Sequence, residues 1–268
     1  MDGLDDLRRR IDQLDDEEGY PHAEVPAHLD LARFVTVMEQ VTSAGTIRDV
    51  LRMPCVAAAE ADALVERCRL LTRLRALAPE IVVGPVNLGA QFWIATGNPS
   101  HLPPGEPTLA EQYFIGMTDK ANLRPSTKPF GVGMFTATGG LGTHGMWRLY
   151  LDLNRGSTLF PLPWHTWAVE PRRDVVIHEI AGATEWVEFA RSFPLRDGTL
   201  LYPDWNAAAR ECDAVHMTTR AIAATQGLYF PTEDGIVAAP YWDVEQTFWL
   251  RWCFNAVKLV EVTAEDPE

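Results

Sequence analysis

Gln91-Phe92-Trp93-Ile94-Ala95 and Gly133-Met134-Phe135-Thr136-Ala137 are the stretches on which the fold turns. Each is a short run of apolar and aromatic residues set off by Gly, Pro or Asn, the pattern of a strand. Working outward, strands are predicted at Ile81-Val82-Val83, Gln112-Tyr113-Phe114-Ile115, Trp147–Leu153, His165–Val169 and Asp174–Ile180. Helices are predicted over Ala183–Ser192, where Trp186, Val187 and Ala190 share a side and Pro194 makes the stop. Two more run from an Asp204 N-cap to about Cys212 and from Thr218 to Thr225, the latter closing at Gly227. Tyr241–Phe254 is aromatic enough for a strand covered on both faces, although its length also allows a helix. The expected fold class is α+β, with a mixed β-sandwich-like domain over residues 79–268.

Before Pro79 the texture is helical. Leu31, Phe34, Val35, Met38 and Val41 recur at three- and four-residue spacing, as do Leu64, Cys68, Leu71 and Leu74. The expectation is an appended helical segment over 1–78 whose two apolar stripes pack together. Asp15-Asp16-Glu17-Glu18 reads as a solvated helix end.

The 268 residues are 47% hydrophobic, enough for a core that needs no metal or disulfide. A net charge of −14, spread along the chain, opposes a nucleic-acid backbone or an anionic membrane. Cys55, Cys68, Cys212 and Cys253 are too scattered for a metal knuckle and read as reduced thiols. The acidic start Met1-Asp2-Gly3-Leu4-Asp5-Asp6 has neither the basic nor the apolar region of a secretory signal, and no run approaches a membrane span. The expected location is cytoplasmic.

The stretch richest in chemical detail runs from Asn122 to Thr138 and contains Leu123-Arg124-Pro125, a spacer, Phe130-Gly131-Val132-Gly133-Met134-Phe135 and Thr136-Ala137-Thr138. Two glycines two residues apart, then an aromatic and alternating hydroxyls, describe a backbone that comes close to something flat. Here the sequence resembles the ADP-ribosyltransferase superfamily, in which a Leu-Arg-Pro element followed by Phe-Gly-x-Gly-aromatic lines the nicotinamide pocket and toxin-like members carry a Ser/Thr-x-Ser/Thr strand. The resemblance covers about fifty residues. It implies that Phe135 stacks on nicotinamide, that Gly131 and Gly133 admit the ring, and that Thr136 and Thr138 brace the strand. Ile115 stands where the family has its NAD-gripping His, which leaves Arg124, or a residue near Trp93 to Thr96, as a substitute for holding the diphosphate.

The resemblance also implies a late-strand glutamate that stabilises the ribose as nicotinamide leaves. Asp243-Val244-Glu245 has that form, since side chains at i and i+2 of a strand share a face. Glu245 is the expected catalytic residue, with Asp243 as its helper.

Other chemistries find less support. There is no Gly-x-Ser-x-Gly, and Gly139–Gly145 lacks the Lys-Ser/Thr end of a phosphate loop, so it reads as a mobile loop beside the cleft. His178-Glu179 has no second His at helical spacing. Asp213, His216 and Thr218 sit in an otherwise apolar run, where they must be satisfied or used. Most of the nine tryptophans fall after Thr138 and read first as core. The expectation is therefore an NAD-dependent mono-ADP-ribosyltransferase with NAD as substrate and an open acceptor. Its rivals are a noncatalytic binding or phage structural protein, and a metal-dependent hydrolase using His144, His178 and His216.

Overall fold

The computed structural model describes residues 79–96, 109–120, 123–140, 142–227 and 229–264. The helical segment expected over 1–78, with Cys55 and Cys68, lies outside them.

Over the described residues the chain is α+β, with mixed sheets and short helices. β1 (Gln91–Thr96), β2 (Met134–Thr138), β3 (Trp164–Pro171), β4 (Ile177–Ile180), β7 (Ala214–Met217), β10 (Gln246–Trp249) and β11 (Phe254–Thr263) form one seven-stranded sheet in the order β11-β3-β1-β2-β10-β7-β4. Its pairings are antiparallel except β4 with β7. A four-stranded sheet joins β5 (Pro194–Asp197), β6 (Leu200–Pro203), β8 (Phe230–Thr232) and β9 (Gly235–Val237) in the order β5-β6-β9-β8.

Among the described residues four helices of seven residues or more accompany the sheets: α1 (Met146–Leu153), α2 (Ala183–Ser192), α3 (Trp205–Glu211) and α4 (Thr219–Thr225). The last three fall where the sequence put them. The Asp204 carboxylate accepts from Ala207 N–H, and the Thr218 hydroxyl accepts from Ala221 N–H, so both helices start at a side-chain cap. Trp186, Phe189, Trp205, Trp242 and Phe248 pack in the main core with Val215, Met217 and Ile222. Trp164, Trp186, Trp242 and Trp249 are fully buried, which makes those rings core rather than a binding face.

Several expected strands take other forms. Trp147–Leu153 lies in α1, stabilised by contacts available only at helical spacing: Trp147 stacks on Tyr150 at 5.0 Å and Arg148 pairs with Asp152 at 3.0 Å. Ile81 belongs to a helical turn, Pro79–Val82, with proline at its first position, where no N–H is missed. Among the described residues Gln112–Ile115 belongs to no strand and forms a 3₁₀ turn at Glu111–Tyr113. The run Asp174–Ile180 pairs only from Ile177, because Val176 N–H is taken by the Asp213 carboxylate at 2.8 Å. Tyr241–Phe254 is divided rather than continuous: β10 begins at Gln246, after Asp243 takes a left-handed φ of 67°, and β11 begins at Phe254.

One departure from regular pairing sets up the site. β1 and β2 pair only at Gln91↔Thr138 and Phe92↔Ala137. Beyond those pairs β1 follows β3 up to Thr96, while β2 follows β10 through Thr136, Phe135 and Met134. The two strands part, and the segment around Ile115 lies at the opening, where Gly133 N–H donates to Ile115 O at 2.7 Å.

Candidate functional site

A cavity of about 320 Å³ opens where β1 and β2 separate, a volume suited to a small ring-bearing ligand. Trp93 and Ile94 of β1 face Met134 and Phe135 of β2 across it, with Phe114, Phe130 and Trp147 adding aromatic wall. Gly131 and Gly133 line it as well. Both glycines have left-handed φ, 71° and 61°, but only Gly133 is tightly enclosed: a Cβ there would lie 2.3 Å from the Phe248 ring.

Phe135 stacks on Phe248, with centroids 4.3 Å apart and planes 14° from parallel. The Lys128 ammonium lies 5.2 Å from the Phe135 centroid and 5.9 Å from that of Trp147. Phe135 is therefore one part of a composite aromatic wall.

Two polar side chains belong to this wall. Lys128 is 9% exposed, and among the described residues its ammonium has one hydrogen bond, to Trp242 O at 3.0 Å. Burial lowers its pKa to about 8, against the opposing charge of Asp243. Gln246 is 3% exposed, and its buried amide oxygen has no hydrogen-bond partner among the described residues.

Glu245, the residue before Gln246, has a different environment. It is fully buried, and its carboxylate accepts from Thr138 N–H at 3.0 Å and meets His216 Nε2 at 2.9 Å. His216 Nδ1 meets Glu179 Oε1 at 2.5 Å, and Glu179 keeps 28% of its side chain exposed. Burial alone would lower the His216 pKa, but the two glutamates outweigh it and raise it to about 9. The imidazole is thus held protonated at neutral pH between two carboxylates.

The alternation of β2 separates these environments. Phe135 points toward Phe248 and Trp242. Thr136 and Thr138 point to the other face, where the Thr136 hydroxyl donates to Gln91 Oε1 at 2.5 Å and accepts from Trp249 Nε1 at 2.8 Å. Gln91 Nε2 in turn donates to the Thr138 hydroxyl at 2.9 Å.

Of the residues chosen from sequence, Phe135, Gly131 and Gly133 converge on the cavity, while Thr136 and Thr138 brace the strand behind it. Arg124 is exposed and outside the cavity lining. Asp243 does not share a strand face with Glu245. It precedes β10, and its carboxylate accepts from Gln226 Nε2 at 2.9 Å. The expected i, i+2 pair fails because the left-handed turn at Asp243 interrupts the extended backbone it requires.

The histidines of the metal reading also stand apart. His144 pairs with Glu261, His178 packs on Phe189, and His216 is held by the glutamates. Among the described residues no group of three or more His, Cys, Asp or Glu is arranged to hold a metal ion.

Lys128, Gln246 and Glu179 were not singled out from sequence. Glu179 carried a signal, a charge inside the strand pattern Val175–Ala181, and Lys128 carried another, a cation within Thr127–Gly131. Gln246 gave none. No protein-family model, curated protein or solved structure matches the chain.

Proposed function

We propose that the chain binds NAD in this cavity and acts as a mono-ADP-ribosyltransferase. The observation that carries the reading is the convergence of Phe135, Gly131 and Gly133 on one ring-sized, aromatic-walled cavity whose rim also includes Gln246, the neighbour of Glu245. In the reaction the bond between ribose C1′ and the nicotinamide nitrogen breaks, and its electron pair leaves with nicotinamide. A nucleophile of the acceptor then bonds to C1′ and gives up its proton. Glu245 lies behind β2 and outside the cavity lining, and would offset the positive charge developing on the ribose through space rather than by contact. His216 would fix its carboxylate in place, as the Thr138 amide does from the other side.

The test is nicotinamide release from NAD by the purified chain and by Glu245→Gln, with thermal unfolding followed in parallel. Release by the wild type that collapses in a folded variant supports transfer. Absence of release together with absence of NAD binding overturns the reading.

One observation favours a second reading, a noncatalytic ring-binding module. Glu245 is fully buried and its carboxylate is already bound on both sides. Saturable NAD binding without nicotinamide release, unchanged in Glu245→Gln, would establish that alternative.

A further inference from the structure

The chain carries 23 basic residues, and only three of them are lysines: Lys120, Lys128 and Lys258. Lys120 and Lys258 are exposed, as a hydrated ammonium prefers. Lys128 stands in the cavity wall at 9% exposure, the one charged side chain among the described residues that line the cavity. Its ammonium lies over the rings of Phe135 and Trp147, two half-buried residues of the same lining. No carboxylate is bonded to it, and its hydrogen bond goes to the Trp242 carbonyl.

The backbone that carries Lys128 is fixed. Trp205 Nε1 donates to Ser126 O at 2.8 Å, Trp242 Nε1 donates to Thr127 O at 3.0 Å, and Lys128 N–H donates to the Ser126 hydroxyl at 3.1 Å. Pro129 follows, with its φ set by the ring. A lysine that only filled space would bury its stem and turn its head to water. Here the head is held among the rings.

These surroundings change what the side chain can do. Arginine, the usual cation of this chain, stays charged, whereas lysine can give up its proton. Burial lowers the Lys128 pKa to about 8, with the charge of Asp243 opposing, so about half of it is free amine at pH 8. A free amine in an apolar wall is a nucleophile.

We propose that Lys128 is a covalent capture site for an uncharged aromatic aldehyde, held in the cavity by its ring and joined to the lysine as an imine. The lone pair of Nζ forms the C–N bond while the carbonyl π pair moves to oxygen. The C–O bond then breaks as C=N forms, and both amine protons end on the departing oxygen, which leaves as water. Amine and aldehyde thus give imine and water, with no oxidant or reductant. Trp93, Phe114, Phe135 and Trp147 take the flat ring. A phosphate or carboxylate on the ligand would find no second cation among the described lining residues, which selects against charged carbonyl compounds. The capture uses the cavity of the NAD reading but does not rest on it.

The experiment is reductive trapping. The full chain is incubated at pH 8 with benzaldehyde and cyanoborohydride, and the benzyl mark is located by peptide mass spectrometry, with Lys120 and Lys258 as internal references. Lys128 should be marked at least about tenfold faster than either, because it alone is largely free amine. Benzyl alcohol, which has the ring without the carbonyl, should slow marking at Lys128 and leave the references unchanged. In urea the three lysines should be marked alike. Lys128 marked no faster than Lys120, marking that benzyl alcohol does not slow, or a preference that survives unfolding overturns the inference. Every arm uses the wild-type chain, so no variant has to fold. None depends on nicotinamide release, so this inference and the NAD reading fail separately.

Discussion

The two sides of strand β2 handle their polar groups in opposite ways. On one side Gln91, Thr136, Thr138, His216 and Glu245 are linked by hydrogen bonds of 2.5–3.3 Å, and among them each side chain has a partner. On the other, Gln246 Oε1 is buried with no partner among the described residues, and Lys128 has a single backbone carbonyl. Polar groups that satisfy one another stiffen a core, whereas a buried polar group left without a partner costs free energy. The Thr247 hydroxyl on the first side is likewise buried without a partner among the described residues.

The comparison breaks first, and hardest, at Glu245. Glu245→Ala leaves a protonated His216 with only Glu179 and frees the Thr138 amide, and should cost roughly 3–5 kcal/mol of stability in urea unfolding. A loss below about 1 kcal/mol would mean that the network is not the support described.

The second test is pH. The folded-state pKa of His216, about 9, lies above its ordinary 6.5, so its contribution is fully present below pH 6.5 and is lost as pH rises through about 9. The loss should be on the order of 3 kcal/mol. Lys128, lowered from 10.5 to about 8, acts with the opposite sign between those values, so the measurement belongs in Lys128→Met. A flat profile from pH 6.5 to 9 in that variant would remove the charged imidazole from the account.

The third test sets Gly133 against Gly131. Alanine at Gly133 meets the Phe248 ring and Trp249 O in addition to its left-handed backbone, and should cost about 3 kcal/mol. Alanine at Gly131 finds only Lys120 Nζ at 3.9 Å and should cost about 1 kcal/mol. Equal losses by chemical denaturation would show that the enclosure of Gly133 is unimportant. The smallest effect is a gain: Lys128→Met should raise stability at pH 7 by about 1–2 kcal/mol, because an incompletely paired cation leaves an apolar wall.

How much of this was legible in sequence depends on the range of the interactions. α2, α3 and α4 were readable because their caps and stripes lie within a few residues of one another. The Gly131–Phe135 element was legible for the same reason. α1 was missed because its aromatic content resembles a strand, and its Arg148–Asp152 pair was the overlooked helical signal. The interruption of Tyr241–Phe254 rests on a left-handed Asp243 tied to Gln226, which no local pattern announces. Glu245 was found by its place in the chain, but its partner His216 lies 29 residues away in sequence, and Glu179, which holds the other ring nitrogen of His216, lies 66 away. Lys128 and Gln246 acquire meaning only where β1 and β2 part, an event of topology that composition does not encode.

The most direct measurement is calorimetric titration of the full chain with NAD, beside the same titration of Lys128→Met. The account predicts saturable one-site binding, competed by free nicotinamide and weakened about tenfold or more by the substitution. No saturable heat, or equal affinity in the two proteins, would contradict it.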